Sequence, residues 1–158
     1  MRLKQGKRNR SGETVLISEE HIAAAYAQWS NRNRRTWGML DGEWLDAVRH
    51  VASELEDVAE RGSTVTYGEL CVGTSFARAE HWHHVVADVL MVVGIACDFA
   101  QLPMLTALAV NKDHGTPGGG FYDAARHLGR LTTRGRDESF WISEIKKVHR
   151  QWAAAGAR

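Results

Sequence analysis

Cysteine and proline are scarce in this chain. Two of each occur in 158 residues, and Cys71 and Cys97 form no CxxC pair. A disulfide framework and a cysteine-based zinc ribbon are thereby excluded. Buried free thiols are the expected state of both cysteines. No run of about 18 apolar residues is evident, and the basic start leads into polar residues where a signal peptide needs an apolar centre. This favours a soluble, cytoplasmic protein without membrane contact. His-Glu-x-x-His and the P-loop order Gly-Lys-Ser/Thr are also absent. What is present is ordinary globular material: 44% apolar residues, enough for one domain over 1–158 with its own core.

Net charge is only +1, yet it is unevenly distributed. Residues 1–40 carry eight Lys/Arg against three Asp/Glu, residues 41–100 three against eleven, and residues 101–158 nine against five. Both ends are basic and the middle is acidic. A nucleic-acid surface needs clustered cations where contact occurs. General affinity of that kind is therefore expected from the ends: from a flexible arm over 1–14 that includes Lys7, Arg8 and Arg10, from Arg32, Arg34 and Arg35, and from the C-terminal cations.

Apolar spacing predicts the helices. Ile22, Ala25, Tyr26 and Trp29 follow one helical face, with Ser18 as N-cap and Glu19 and Glu20 in the first turn. A second helix over Asp41–Arg61 aligns Trp44, Val48, Val51, Leu55 and Val58 and stops at Gly62. A short strand over Val65–Tyr67 leads into a turn of helix from Gly68 to Val72. A longer helix from about Arg78 to Ala100 completes a helix-turn-helix pattern. Leu105–Val110 reads as a strand, Asn111–Gly120 as a hairpin turn or wing, Ala124–Leu128 as a short helix, and a final helix begins near Asp137. The class expected is α+β and mostly helical: a winged-helix-like centre over 63–122 with a small β-hairpin, flanked by two N-terminal helices and one C-terminal helix.

Two motifs lie in that centre. Thr64-Val65-Thr66-Tyr67-Gly68-Glu69-Leu70 is the first. Leu102-Pro103-Met104-Leu105-Thr106, followed by Gly118-Gly119-Gly120-Phe121-Tyr122, is the second. Their order resembles the C-terminal winged-helix domain of the O6-alkylguanine-DNA alkyltransferases and alkyltransferase-like proteins. There a Thr-Tyr-Gly-Glu start precedes a Pro-Cys-His-Arg core and a Gly-Gly-Tyr wing. The resemblance covers about a third of the chain and implies that Tyr67 and Arg78 displace a base from a duplex. Met104, Leu105 and Thr106 stand where the family has cysteine, histidine and arginine, so alkyl transfer at this site is excluded for want of a thiolate. A binding protein without enzymatic activity or cofactor follows, with nucleic acid, chiefly DNA, as partner. A protein-interaction or inhibitor module docking its acidic middle face on a basic partner is the alternative. Tyr67 also has a purely structural reading, closing a strand-to-helix corner beside Gly68.

Two further groups of residues could carry chemistry. His81, His84 and Asp88 fall on one helical face, with His83 adjacent, and offer weak candidate ligands for a metal against the simpler reading of a solvated face. The loop Asn111–Gly120 contains Lys112 and His114. It could contact a phosphate or partner, or serve only as a flexible turn. Trp37 and Trp82 fit no apolar stripe and are candidate exposed anchors.

Overall fold

The computed structural model describes residues 7–8, 14–33 and 37–156, and the fold is α+β and mostly helical. Strands β1 (Lys7–Arg8) and β2 (Thr14–Val15) pair antiparallel. The expected arm thus contributes a short pairing at its base, while residues 1–6 and 9–13, Arg10 among them, lie outside the described residues.

Helix α1 (Glu19–Arg32) starts as its sequence demands. The Ser18 hydroxyl accepts from His21 N, and His21 Nδ1 accepts from Ser18 N, so two of the helix's orphan donors are satisfied reciprocally. Helix α2 (Asp41–Glu60) buries Trp44, Val48, Val51, Leu55 and Val58. It ends with Ser63 N donating to Val58 O and Gly62 N to Ala59 O, with Gly62 at φ +70°. This Schellman closure needs a left-handed residue, which is why the helix stops at a glycine.

Strand β3 (Val65–Thr66) runs into the five-residue helix α3 (Tyr67–Cys71). Residues 72–81 then form successive turns, Thr74 N on Cys71 O and Ala79 N on Phe76 O among them, before α4 (Trp82–Phe99) begins. The expected start near Arg78 is therefore corrected to Trp82. Buried Phe76 and Gly73 at φ +86° hold the segment in turns rather than helix. Helix α4 is the centre of the molecule, packed against α1, α2 and α3. With 18 residues of mean hydropathy 1.4 it is, by length and composition, apolar enough to cross a membrane, a property missed in the sequence. Half of it is buried within the protein, and that burial accounts for its composition.

The run expected as one strand is a 3₁₀ turn over Leu105–Leu108 followed by β4 (Ala109–Val110). All six residues are buried between helices, and an apolar run of this length carries no periodicity to distinguish the two conformations. No hairpin wing forms here. Strand β4 lies parallel to β3, pairing Val65 with Ala109 and Thr66 with Val110. Parallel strands need a crossover, which α3 and α4 supply. The loop after β4 is closed by Asn111 N on Thr116 O and Gly115 N on Asn111 O, and the chain then enters α5 (Gly119–His127). The last helix, α6 (Glu138–Gly156), is capped by Asp137, whose carboxylate accepts from Phe140 N.

The main core joins α1, α2, α4 and the buried side of α6. A smaller one gathers Met104, Val110, Phe121, Tyr122 and Trp141. Two carboxylates are buried at the seams. Glu56 accepts from Leu16 N at 2.7 Å and from Trp152 Nε1 at 2.9 Å, tying β2, α2 and α6 together. Glu144 accepts from Met104 N at 2.9 Å and from Lys147.

Candidate functional site

The parallel register of β3 and β4 has a direct consequence for the site. The residue after each strand is carried to the same edge, so Tyr67 and Asn111 flank one opening. Crevices at the carboxyl ends of parallel strands are where ligands of open α/β sheets bind. Here the crevice is a cleft of about 540 Å³, walled by the start of α3, the first half of α4 and the start of α5. That volume lies within the range of small-ligand pockets.

Its walls are aromatic and apolar. Tyr67, Trp82 and Phe121 line it, with Val86 and Leu90 behind them. Phe121 is held in place by an edge contact with Tyr122 and a stacked contact with Phe140. The Tyr67 hydroxyl accepts from Gly118 N at 2.8 Å, and burial raises its pKa against the opposing effect of that N–H. The phenol is therefore neutral at physiological pH. Tyr67 thus holds the entry to α5 through its hydroxyl, and its ring lines the cleft.

The floor and rim are polar. Thr106 lines the cleft at 6% exposure, and its hydroxyl has no hydrogen-bond partner among the described residues. The Asn111 side-chain amide is half-buried and equally unpartnered there, while its backbone N–H and C=O are both fixed by the loop. A polar ligand edge would satisfy both groups. Lys112 and Asp113 stand exposed at the mouth.

Several expected residues lie elsewhere. Arg78 is exposed in the turns before α4 and does not line the cleft, because the helix it was expected to open begins four residues later. Arg32 is exposed in the last turn of α1. Lys7 and Arg8 are placed in β1 by their backbone, whereas Arg10, Arg34 and Arg35 lie outside the described residues. Met104, at the position of the family's nucleophile, is fully buried in the smaller core and does not line the cleft. Neither thiol offers a substitute: burial pushes Cys71 up to about 11 and Cys97 up to about 12.

The face of His81, His84 and Asp88 is not open to solvent alone. The Trp37 indole stacks on both imidazoles, with ring centroids 5.2 Å apart in each case, and its Nε1 donates to Asp88 Oδ2 at 2.9 Å. Among the described residues no group of three His, Cys, Asp or Glu is placed to hold a metal. Trp37, read as an exposed anchor, instead packs the segment after α1 onto α4. Trp82, also read as an exposed anchor, is half-buried, packs against the main core and lines the cleft.

Thr106, Phe121 and His83 were missed as site residues. Their sequence signals are those of core and helix surface, and only the fold brings them to one opening. Compared with protein-family models, curated proteins and solved structures, the chain matches none.

Proposed function

We propose that the protein is a non-enzymatic binding protein that takes one unpaired or extruded nucleobase of a nucleic acid, chiefly DNA, into the cleft beside Tyr67. The observation that carries this reading is the combination in one cleft of aromatic walls, Tyr67, Trp82 and Phe121, with two polar side chains, those of Thr106 and Asn111. A flat heteroaromatic ring with polar edges satisfies both, stacking on the walls and hydrogen-bonding at the floor. Helix α4 is a poor reader of a duplex groove, since it is packed as the core helix and its exposed face carries Asp98 and no Lys or Arg. The resemblance to the alkyltransferase-like family also implies a part for Tyr67 at an extruded base, as the residue that displaces it. It does not extend to a reaction, because Met104 is no nucleophile.

The test is fluorescence anisotropy with a labelled single strand, a paired duplex and a duplex bearing one extrahelical base. The single strand and the bulged duplex are expected to bind more tightly than the paired one. Trp82→Ala should weaken them by roughly 1–3 kcal/mol, the worth of one stacked base. Unchanged binding by a folded Trp82→Ala protein would remove the cleft from the account.

A second reading has one observation in its favour, the excess of eleven acids over three cations in residues 41–100. Such a face suits docking on a basic protein. Glu80→Lys, on an exposed side chain, would then abolish partner capture and leave the single-strand affinity unreduced.

A further inference from the structure

Two non-glycine residues among those described hold a positive φ, Gln101 at +54° and Trp37 at +51°. Gln101 closes α4, where Leu102 N donates to Cys97 O. Trp37 closes no helix, since α1 has already ended with Asn33 as its cap. A left-handed backbone is unfavourable for so bulky a side chain and persists only where surrounding contacts hold it. The ring and polar contacts of Trp37 lie on the first turns of α4. Its indole stacks on His81 and His84 at ring angles of 19° and 9°, and its N–H donates to Asp88, one turn further on. Helix α4 starts from His81 without a side-chain cap. Between the two clasped imidazoles stand Trp82 and His83, whose rings stack at 3.7 Å and both line the cleft. Trp37, His81 and His84 do not line it. The clasp thus holds the helix end that carries the cleft wall without entering the cleft.

From this juxtaposition we infer that Trp37 is a positioning residue for the cleft: by clasping His81 and His84 it fixes the first turn of α4, and with it the Trp82 ring on which a base stacks. The inference rests on the nucleobase reading above and adds what keeps the stacking wall in place. A helix end without a cap opens easily, because its first N–H groups lack intrahelical partners. A ring carried there needs an outside hold, and a ring fixed before the ligand arrives loses less freedom on stacking. The strained backbone at Trp37 and the ring pair at His81 and His84 are then parts of one device. Trp37 acts through Trp82 and touches no ligand.

The test has a ligand-free arm and a binding arm. In the first, the full chain is labelled with 5-fluorotryptophan and its six indoles are followed by fluorine NMR, the Trp82 line being assigned by its loss in Trp82→Ala. Trp37→Ala should shift or broaden the Trp82 line. In the second, anisotropy with a five-nucleotide oligothymidylate strand measures Trp37→Ala, Trp82→Ala and the double variant. Trp37→Ala should weaken binding roughly threefold or more, and that loss should largely vanish in the Trp82→Ala background, as for residues that act as a unit. His84 is exposed and outside the cleft, so His84→Ala removes one stacking surface while leaving the core intact. It should move the Trp82 line and the affinity in the same direction, and it decides the matter if Trp37→Ala does not fold. A Trp82 line unmoved in both folded variants overturns the inference, whatever happens to binding. So does a moved line with unchanged affinity, or a loss in Trp37→Ala that simply adds to that of Trp82→Ala. If the line moves but the unaltered protein binds no strand, the hold on Trp82 stands and the nucleobase reading falls.

Discussion

At the scale of single residues, the site depends on side chains doing two things at once. Tyr67 braces Gly118 with its oxygen while its ring faces the cleft, so the two functions separate by substitution. Tyr67→Phe leaves Gly118 N–H without its partner and should destabilise the protein by about 1 kcal/mol while retaining most ligand affinity. Tyr67→Ala loses the ring as well, and its affinity should fall by a further factor corresponding to about 1–3 kcal/mol. Chemical denaturation and anisotropy on the same samples check both. Gln101 offers a test independent of function. It takes the left-handed position at the end of α4 with φ +54°, where Leu102 N donates to Cys97 O in the same closure that glycines make after α2 and α5. Gln101→Gly should stabilise the protein by roughly 1 kcal/mol, read as an increased denaturation midpoint.

At the scale of elements, legibility in the sequence followed the amount of periodic information. Helices α1, α2 and α6 were readable because each is long, amphipathic and bounded by a cap: Ser18, Gly62 and Asp137. The Leu105–Val110 run was misread because burial on every side erases alternation, leaving strand and 3₁₀ turn indistinguishable. Parallel pairing of β3 with β4 was invisible for a related reason, since a two-residue strand carries no register signal. The site inherits that opacity: Tyr67 and Lys112 were legible through a motif and a loop, while Thr106 and Phe121 needed the packing.

Glu56 was equally hidden, a carboxylate on the inner face of α2. Burial raises its pKa from 4.5 to about 7, against hydrogen bonds from Leu16, Trp152 and Ile17 that lower it. The folded state thus holds the proton more tightly than the unfolded chain. Its contribution to stability is full below pH 4.5 and is lost as pH rises toward 7, by an amount of order 3 kcal/mol. The stability difference between wild type and Glu56→Gln, measured in urea from pH 4.5 to 7.5, should accordingly shift against the wild type as pH rises. A difference constant with pH would contradict the burial argument.

For the whole molecule, the proposed binding of nucleic acid would divide between charge and cleft. The acidic stretch 41–100 includes α4, one wall of the cleft, whereas the cations that favour phosphate lie in 1–40 and 101–158. General affinity for nucleic acid should therefore come from the ends and discrimination from the cleft. Removing residues 1–14, which carry Arg2, Lys4, Lys7, Arg8 and Arg10, should reduce affinity and flatten its dependence on salt, each lost phosphate contact lowering the slope by about 1. The preference for an unpaired base should persist in the truncated protein. Equal slopes before and after truncation would show that the arm contributes nothing.

The claim on which the rest depends is that a base enters the cleft. It is tested most directly by anisotropy with two duplexes identical except at one extrahelical position, which carries a base in one and is abasic in the other. The account predicts that the base-bearing duplex binds more tightly by about 1–3 kcal/mol, and that Trp82→Ala removes the difference. Equal affinity for the two duplexes in the unaltered protein would contradict it.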